Sequence, residues 1–129
     1  MSDIKAVGFI GLGVMGEAMC RNLVRKCGKP VIGFDRRREP LDRLAKDGVT
    51  RADSIADLVR RVDLVLICVP GEPESRDVCL GKGGVVDSAR AGQIVVDMST
   101  VLPSVGRDVA AACAKKSVDF LDAPIARAR

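Results

Sequence analysis

Histidine, tyrosine and tryptophan are all absent from this 129-residue sequence. Without histidine the chain lacks the usual general base of neutral pH and the commonest metal ligand, and no metal site is expected. Without tyrosine or tryptophan there is little on which to stack a base. The net charge of +4 is also modest, with basic and acidic residues alternating along the helices, so nucleic-acid binding is not expected. Neither a basic leader with an apolar core nor a long apolar run is present, so secretion and membrane spanning are not expected either. The five cysteines, at 20, 27, 68, 79 and 113, form no C-x-x-C pair. Their odd number leaves at least one unpaired, and they read as reduced, mostly buried thiols of a cytoplasmic protein. With only three aromatic residues, all phenylalanine, a core must be built from Val, Leu, Ile, Ala and Met. Such a composition suits parallel strands covered on both faces, and the length fits one domain able to fold without metals or disulfides.

What is present begins with Val7-Gly8-Phe9-Ile10-Gly11-Leu12-Gly13-Val14-Met15-Gly16. An apolar strand, Ile4 to Ile10, turns on glycines directly into a helix that carries Met15, Ala18, Met19, Leu23 and Val24 on one face before Lys26 and Gly28 end it. G-x-G-x-x-G in this strand-turn-helix context is the dinucleotide fingerprint. Gly11 permits the tight turn, Gly13 removes the Cβ that would block a pyrophosphate, and Gly16 lets the helix pack on the strand. The amides of Leu12, Val14 and Met15 around the helix start then face the phosphates. Asp35 closes the next strand, Val31 to Phe34, nineteen positions beyond Gly16. That is the expected place for a carboxylate on the adenosine ribose, the alternative being a turn residue that caps a helix beginning near Pro40.

Strand-like and helix-like segments alternate to the end of the chain, which predicts a doubly wound α/β domain, a parallel sheet of order 3-2-1-4-5-6. The spacing predicts a helix over Pro40–Lys46, an edge strand at Val49–Arg51 and a helix capped by Ser54 and running through Arg61. The apolar run from Asp63 to Val69 predicts a strand buried on both faces, and Glu72 to Leu80 a short helix. Gly81-Lys82-Gly83-Gly84 reads as a loop rather than a second phosphate cradle, because no strand precedes it and Val85-Val86 do not open a convincing helix. Lys82 reads as a solvated loop charge. A strand over Gln93–Met98, a helix with Pro103 in its first turn and Val105, Val109, Ala112 and Cys113 buried, and a strand at Val118–Leu121 complete the pattern. Ligands of such sheets lie at the carboxyl ends of the strands near the order reversal, which singles out the glycine turn, Asp35, Val69-Pro70, Ser99-Thr100 and Asp122-Ala123-Pro124.

Three segments together resemble the β-hydroxyacid dehydrogenases, the family of 3-hydroxyisobutyrate dehydrogenase, tartronate semialdehyde reductase and 6-phosphogluconate dehydrogenase. They are the stretch from Phe9 to Gly16 with Met19, Asn22 and Leu23, then Val95-Val96-Asp97-Met98-Ser99-Thr100, and then Phe120-Leu121-Asp122-Ala123-Pro124. The resemblance covers the whole chain. It implies an NAD(P)-dependent oxidoreductase acting on a small hydroxy acid, with Val69 and Pro70 bordering the cofactor, Thr100 approaching the nicotinamide, and Asp122 to Pro124 opening the substrate loop. That loop departs from the family pattern at Ile125-Ala126-Arg127, where a small residue, a serine and then glycines are usual. Ala126 and Arg127 are thus candidate substrate contacts, and an arginine there could pair with a carboxylate. The family's catalytic lysine and its helical, oligomer-forming domain belong to a segment beyond Arg129. The chain is therefore expected to be the cofactor half of a longer homo-oligomeric enzyme, inactive alone. No residue here substitutes: the absent histidine excludes the acid–base arrangement of lactate and malate dehydrogenases, and the absent tyrosine excludes the Tyr/Lys pair of short-chain dehydrogenases. A non-catalytic nucleotide sensor is the alternative, and an FAD-binding fold leaves the Asp-Met-Ser-Thr and Asp-Ala-Pro segments without a role.

Arg36-Arg37-Arg38 follows Asp35 directly. A carboxylate at the strand end accepts ribose hydroxyls and repels a 2′-phosphate, whereas Arg36 can stack on adenine or clamp that phosphate. NAD is the expected cofactor and NADP the alternative, because a desolvated carboxylate beside a phosphate dianion costs more than one flexible arginine returns.

Overall fold

The computed structural model describes residues 4–125. Six parallel strands, β1 (Val7–Ile10), β2 (Val31–Phe34), β3 (Thr50–Arg51), β4 (Leu64–Ile67), β5 (Ile94–Asp97) and β6 (Asp119–Asp122), form one sheet in the order β3-β2-β1-β4-β5-β6. This is the doubly wound arrangement expected, and the reversal of order falls between β1 and β4. Each predicted strand is present: β2 has the expected bounds, β1, β3, β4 and β5 are shorter than their runs, and β6 is shifted one residue toward the C-terminus. The flanking residues of the runs continue into turns, where their backbone groups pair outside the ladder, as when the Cys68 amide donates to the Ile10 carbonyl at 2.8 Å.

The helices are α1 (Val14–Lys26), α2 (Arg38–Ala45), α3 (Ile55–Arg60), α4 (Glu72–Leu80), α5 (Val85–Ser88) and α6 (Pro103–Ala114). Ser54 caps α3 as expected, its hydroxyl accepting from the Asp57 amide at 3.0 Å. Helix α2 starts two residues before Pro40, which sits within its first turn where the missing amide is an orphan anyway. Helix α5 is a correction, since Val85-Val86 do open a helix. It is a single short turn held by tertiary contacts: Val85 is fully buried, and the Lys116 ammonium donates to the carbonyls of Val86 at 2.6 Å and Asp87 at 3.2 Å.

Two cores form, one on each face. Phe9, Leu12, Cys20, Val31, Leu41, Leu44 and Val49 make the smaller, with α1 and α2 packed over β1 to β3. The larger includes Leu58, Val59, Val65, Ile67, Val85, Val95, Val105 and Val109 beneath α3 to α6. Full burial of each such aliphatic side chain is worth ~1.5–3 kcal/mol, so Val, Leu and Ile carry the stability the missing aromatics do not. Two expected faces are corrected. On α1 the buried residues are Gly16 and Cys20, with Met19, Leu23 and Val24 half-buried, whereas Met15 and Ala18 are exposed. On α6, Gly106 is buried with Val105, Val109 and Cys113, and Ala112 is only half-buried. Strand β4 is likewise not covered on both faces. Val65 and Ile67 are buried but Leu64 and Leu66 are not, and β5 repeats the alternation with Val95 against Ile94 and Val96. Helices α1 and α2 follow β1 and β2 and spread over β1 to β3, leaving that face of β4 to β6 half-covered.

All five cysteines are free, with Cys20, Cys79 and Cys113 buried. Burial pushes the Cys20 and Cys79 thiols up to about 12, so both remain protonated. No helix among the described residues is long and apolar enough to cross a membrane.

Candidate nucleotide site

At the carboxyl ends of β1, β2, β4 and β5 lies a cleft of about 660 Å³. It brings together eleven of the residues singled out from the sequence: Gly11, Gly13, Val14, Met15, Gly16, Asp35, Arg36, Val69, Pro70, Ser99 and Thr100. Its floor is the turn from β1 into α1. Gly11 has φ +95°, and a Cβ there would collide with the backbone carbonyl of Cys68 at the end of β4. A Cβ on Gly16 would strike the Gly11 carbonyl, so each of these glycines permits a backbone-to-backbone approach. Gly13 differs, because a Cβ built on it meets nothing within 4 Å. Nothing in the protein requires glycine at that position, and the space it keeps free opens into the cleft. Gly13 is also the N-cap of α1 and has no side chain to bond the first-turn amides, which are left for a ligand.

Leu12 does not line the cleft. Its side chain is buried, and its amide donates to the Asp35 carboxylate at 2.7 Å. The other Asp35 oxygen accepts from the Arg37 amide at 2.8 Å and the Arg37 Nε at 3.1 Å, while the same guanidinium reaches the Leu12 carbonyl at 3.0 Å. Burial raises the Asp35 carboxyl, but the amides of Arg37 and Leu12 and the guanidinium outweigh it and hold the group below the usual range, ionised at neutral pH. Asp35 is not a side-chain cap of α2, whose N-cap is Arg37. It ties the end of β2 to the glycine turn.

Sequence reasoning did not single out Ser75 as a partner for the end of β5. Asp97 is buried at the end of β5, and its oxygens accept from the Ser99 amide at 2.9 Å and the Ser75 hydroxyl at 2.6 Å. The Ser99 hydroxyl in turn accepts from the Val69 amide at 2.9 Å. The chain of bonds locks the ends of β4 and β5 to α4, fixing Val69, Pro70 and Thr100 on the cleft wall. A serine on the buried face of α4 was the available signal. Ile55, Glu74, Asp77 and Val78 also line the cleft and were not anticipated, because α3 and α4 reach its rim only once the sheet is assembled. Burial, and next the Asp97 charge, raise the Cys68 thiol on the cleft wall, which keeps it protonated rather than nucleophilic.

Two expected substrate contacts are not among the residues that line this cleft. Asp122 and Pro124 are exposed and do not line the cleft, since β6 is the far edge of the sheet; the Asp122 carboxylate faces Gly106 of α6 instead. Ile125 does line it, whereas Ala126 and Arg127 lie outside the described residues. Lys82 is exposed and away from the cleft. Among the described residues no group of three or more His, Cys, Asp or Glu side chains could hold a metal ion.

A family model described as the NAD binding domain of 6-phosphogluconate dehydrogenase matches residues 6–129. The chain belongs to this family. Mitochondrial 3-hydroxyisobutyrate dehydrogenase of Rattus norvegicus is 34% identical over 125 residues, which cover 97% of this chain and 37% of the relative. The solved structure of 3-hydroxyisobutyrate dehydrogenase from Mycobacterium tuberculosis with L-serine is 30% identical, with a TM-score of 0.86 over 97% of this chain and 42% of that one. A structure described as Psf3 in complex with NADP+ and 2-OPP is 34% identical, with a TM-score of 0.87 over 94% of this chain and 43% of that one. The chain thus spans about two fifths of the length of these relatives. The 6-phosphogluconate dehydrogenase family's NAD-binding domain accounts for the glycine turn, the cleft and the sheet order together.

Proposed function

We propose that the cleft holds NAD or NADP with its pyrophosphate over Gly11 to Met15, its adenosine end at Asp35 and Arg36, and its nicotinamide end at Val69, Pro70 and Thr100. The single observation that carries this reading is Gly13, whose missing Cβ opens space in the cleft that no protein atom fills. The bound nicotinamide would supply hydride transfer to or from a small 3-hydroxy acid such as 3-hydroxyisobutyrate or glycerate. This chain's residues bind and orient. The open first turn of α1 receives phosphate oxygens, Asp35 faces the ribose, and the Ser75–Asp97–Ser99 bonds hold the wall against which the ring lies. NAD is the preferred cofactor on the strength of the ionised Asp35.

From the family resemblance we infer that the lysine that exchanges the hydroxyl proton, and the contacts of a homo-oligomer, belong to a part of the protein outside these 129 residues. The lining of the cleft supports that division, since among the described residues it contains no Lys, His or Tyr. The substrate is a small hydroxy acid and the compartment the cytoplasm. Titration with NADH and NADPH tests the reading directly: saturable binding with a dissociation constant in the micromolar range is expected, and a chain that binds neither would overturn it.

A further inference from the structure

The three arginines after β2 have three different fates. Arg37 is pinned on Asp35 and the Leu12 carbonyl, and Arg38 lies along its own helix toward Asp42 at 3.6 Å. Only Arg36 combines a place on the cleft wall with a contact from the opposite rim: its Nη2 meets the Asp77 carboxylate of α4 at 3.3 Å. Both side chains are largely solvent-exposed, so the pair is held weakly and the guanidinium is free to turn inward. We infer that Asp77 is a specificity-determining residue of the nucleotide site, competing with a ribose 2′-phosphate for Arg36 and so biasing the cleft toward the unphosphorylated cofactor. This rests on the nucleotide-binding reading above.

The reasoning is one of charge. A 2′-phosphate brings close to two negative charges and a geometry that a guanidinium fork matches with two parallel hydrogen bonds, which is better than the single contact Arg36 makes with Asp77. To make those bonds Arg36 must leave Asp77. The abandoned carboxylate then stands on the rim as a like charge, in a cleft whose wall already carries the ionised Asp35. A ribose 2′-hydroxyl neither requires that exchange nor meets that repulsion. Asp77 therefore acts on one cofactor and not on the other, although it lies 42 positions from Asp35 on a different helix.

The test is fluorescence titration of the full-length protein with NADH and NADPH, comparing parent, Asp77→Asn, Arg36→Met and the double variant, with Asp77→Ala as a second removal of the charge. The expected result is a rise of about threefold to tenfold in the affinity ratio of NADPH to NADH for both Asp77 variants, shrinking in high salt as screening of an exposed charge demands. The rise should vanish when Arg36 is already methionine. An unchanged ratio in the Asp77 variants overturns the inference, as does an equal rise in the Arg36→Met background, which would make Asp77 a general negative field. A parent that binds neither nucleotide removes the nucleotide-site reading and this inference with it, whereas a parent that binds with an unmoved ratio removes this inference alone.

Discussion

The Leu12 amide and the Asp35 carboxylate, twenty-three residues apart in sequence, are joined by a hydrogen bond of 2.7 Å that ties the glycine turn to the end of β2. Asp35 thereby acquires a structural task besides its place on the cleft wall. A buried amide that loses a charged acceptor loses a strong hydrogen bond, so the turn's geometry and the carboxylate's charge are coupled.

Replacing Asp35 with Asn should show that coupling. The amide side chain keeps one acceptor oxygen for three donors, so the thermal stability should fall by about 1–3 kcal/mol. The same change removes the charge proposed to face the ribose and should swing preference toward NADP by about 1–3 kcal/mol. Calorimetric melting and calorimetric titration of both cofactors measure the two effects separately. A parent that already prefers NADP would show that the arginines dominate.

The glycines of the turn should separate fold from binding. Gly13→Val places its side chain in open space with the extended backbone it already has, φ −69° and ψ −168°, so circular dichroism and melting should stay near the parent's. Nucleotide affinity should drop by more than about tenfold as the cradle is filled. Gly11→Ala should do the reverse to stability, costing about 1–3 kcal/mol or more, because φ is +95° and the new Cβ collides with the Cys68 carbonyl.

Ser75→Ala should lower stability by about 1–3 kcal/mol, since it strips a fully buried carboxylate of its 2.6 Å donor without giving water access. Ser75→Thr keeps the hydroxyl and tests whether the bond rather than the volume matters. Urea unfolding of the three proteins would settle the comparison, and an Ala variant as stable as the parent would sink the locking role.

Acid should loosen the α1–α2 side through Glu17. The Arg43 guanidinium, bonded to it at 2.7 and 2.8 Å, and then Arg21 outweigh its partial burial and hold its carboxyl down from the usual 4.5 to about 2. A depressed carboxyl adds stability above its unfolded pKa, and that stability is lost as pH falls through the folded value, here between about 4.5 and 2. Glu17→Gln should therefore be less stable at neutral pH and should lose less on acidification over that window, as followed by melting at stepped pH.

The 129-residue chain alone should bind nucleotide yet reduce neither NAD nor NADP with 3-hydroxyisobutyrate or glycerate, because the described residues of the cleft include no lysine, histidine or tyrosine to exchange the hydroxyl proton. Absorbance at the reduced-nicotinamide band against a buffer control reads it out.

Sequence by itself determined the architecture of this protein. Alternating periodicity specified six strands and their parallel order, because a strand-helix-strand repeat closes a sheet in only a few ways, and the strand-glycine-helix context located the open helix start on the cleft floor, because helix-start amides and a missing Cβ are local properties. It also marked Asp35, Arg36, Val69 and Thr100, which line one cleft, since strand ends at the order reversal must converge. Only tertiary structure decided what depends on contacts distant in the chain. Periodicity along α1 could not tell that Cys20 rather than Ala18 faces the sheet, because that choice follows the helix's docking angle. Helix α5 exists because Lys116 and the core hold a turn too short to form by its own propensity. The run Leu64 to Val69 is apolar on both faces, yet coverage of one face is set by where α1 and α2 spread. The meeting of Arg36 with Asp77, and of Ser75 with Asp97, needed α4 laid against the sheet, since no local pattern pairs charges and hydroxyls across 41 and 22 positions.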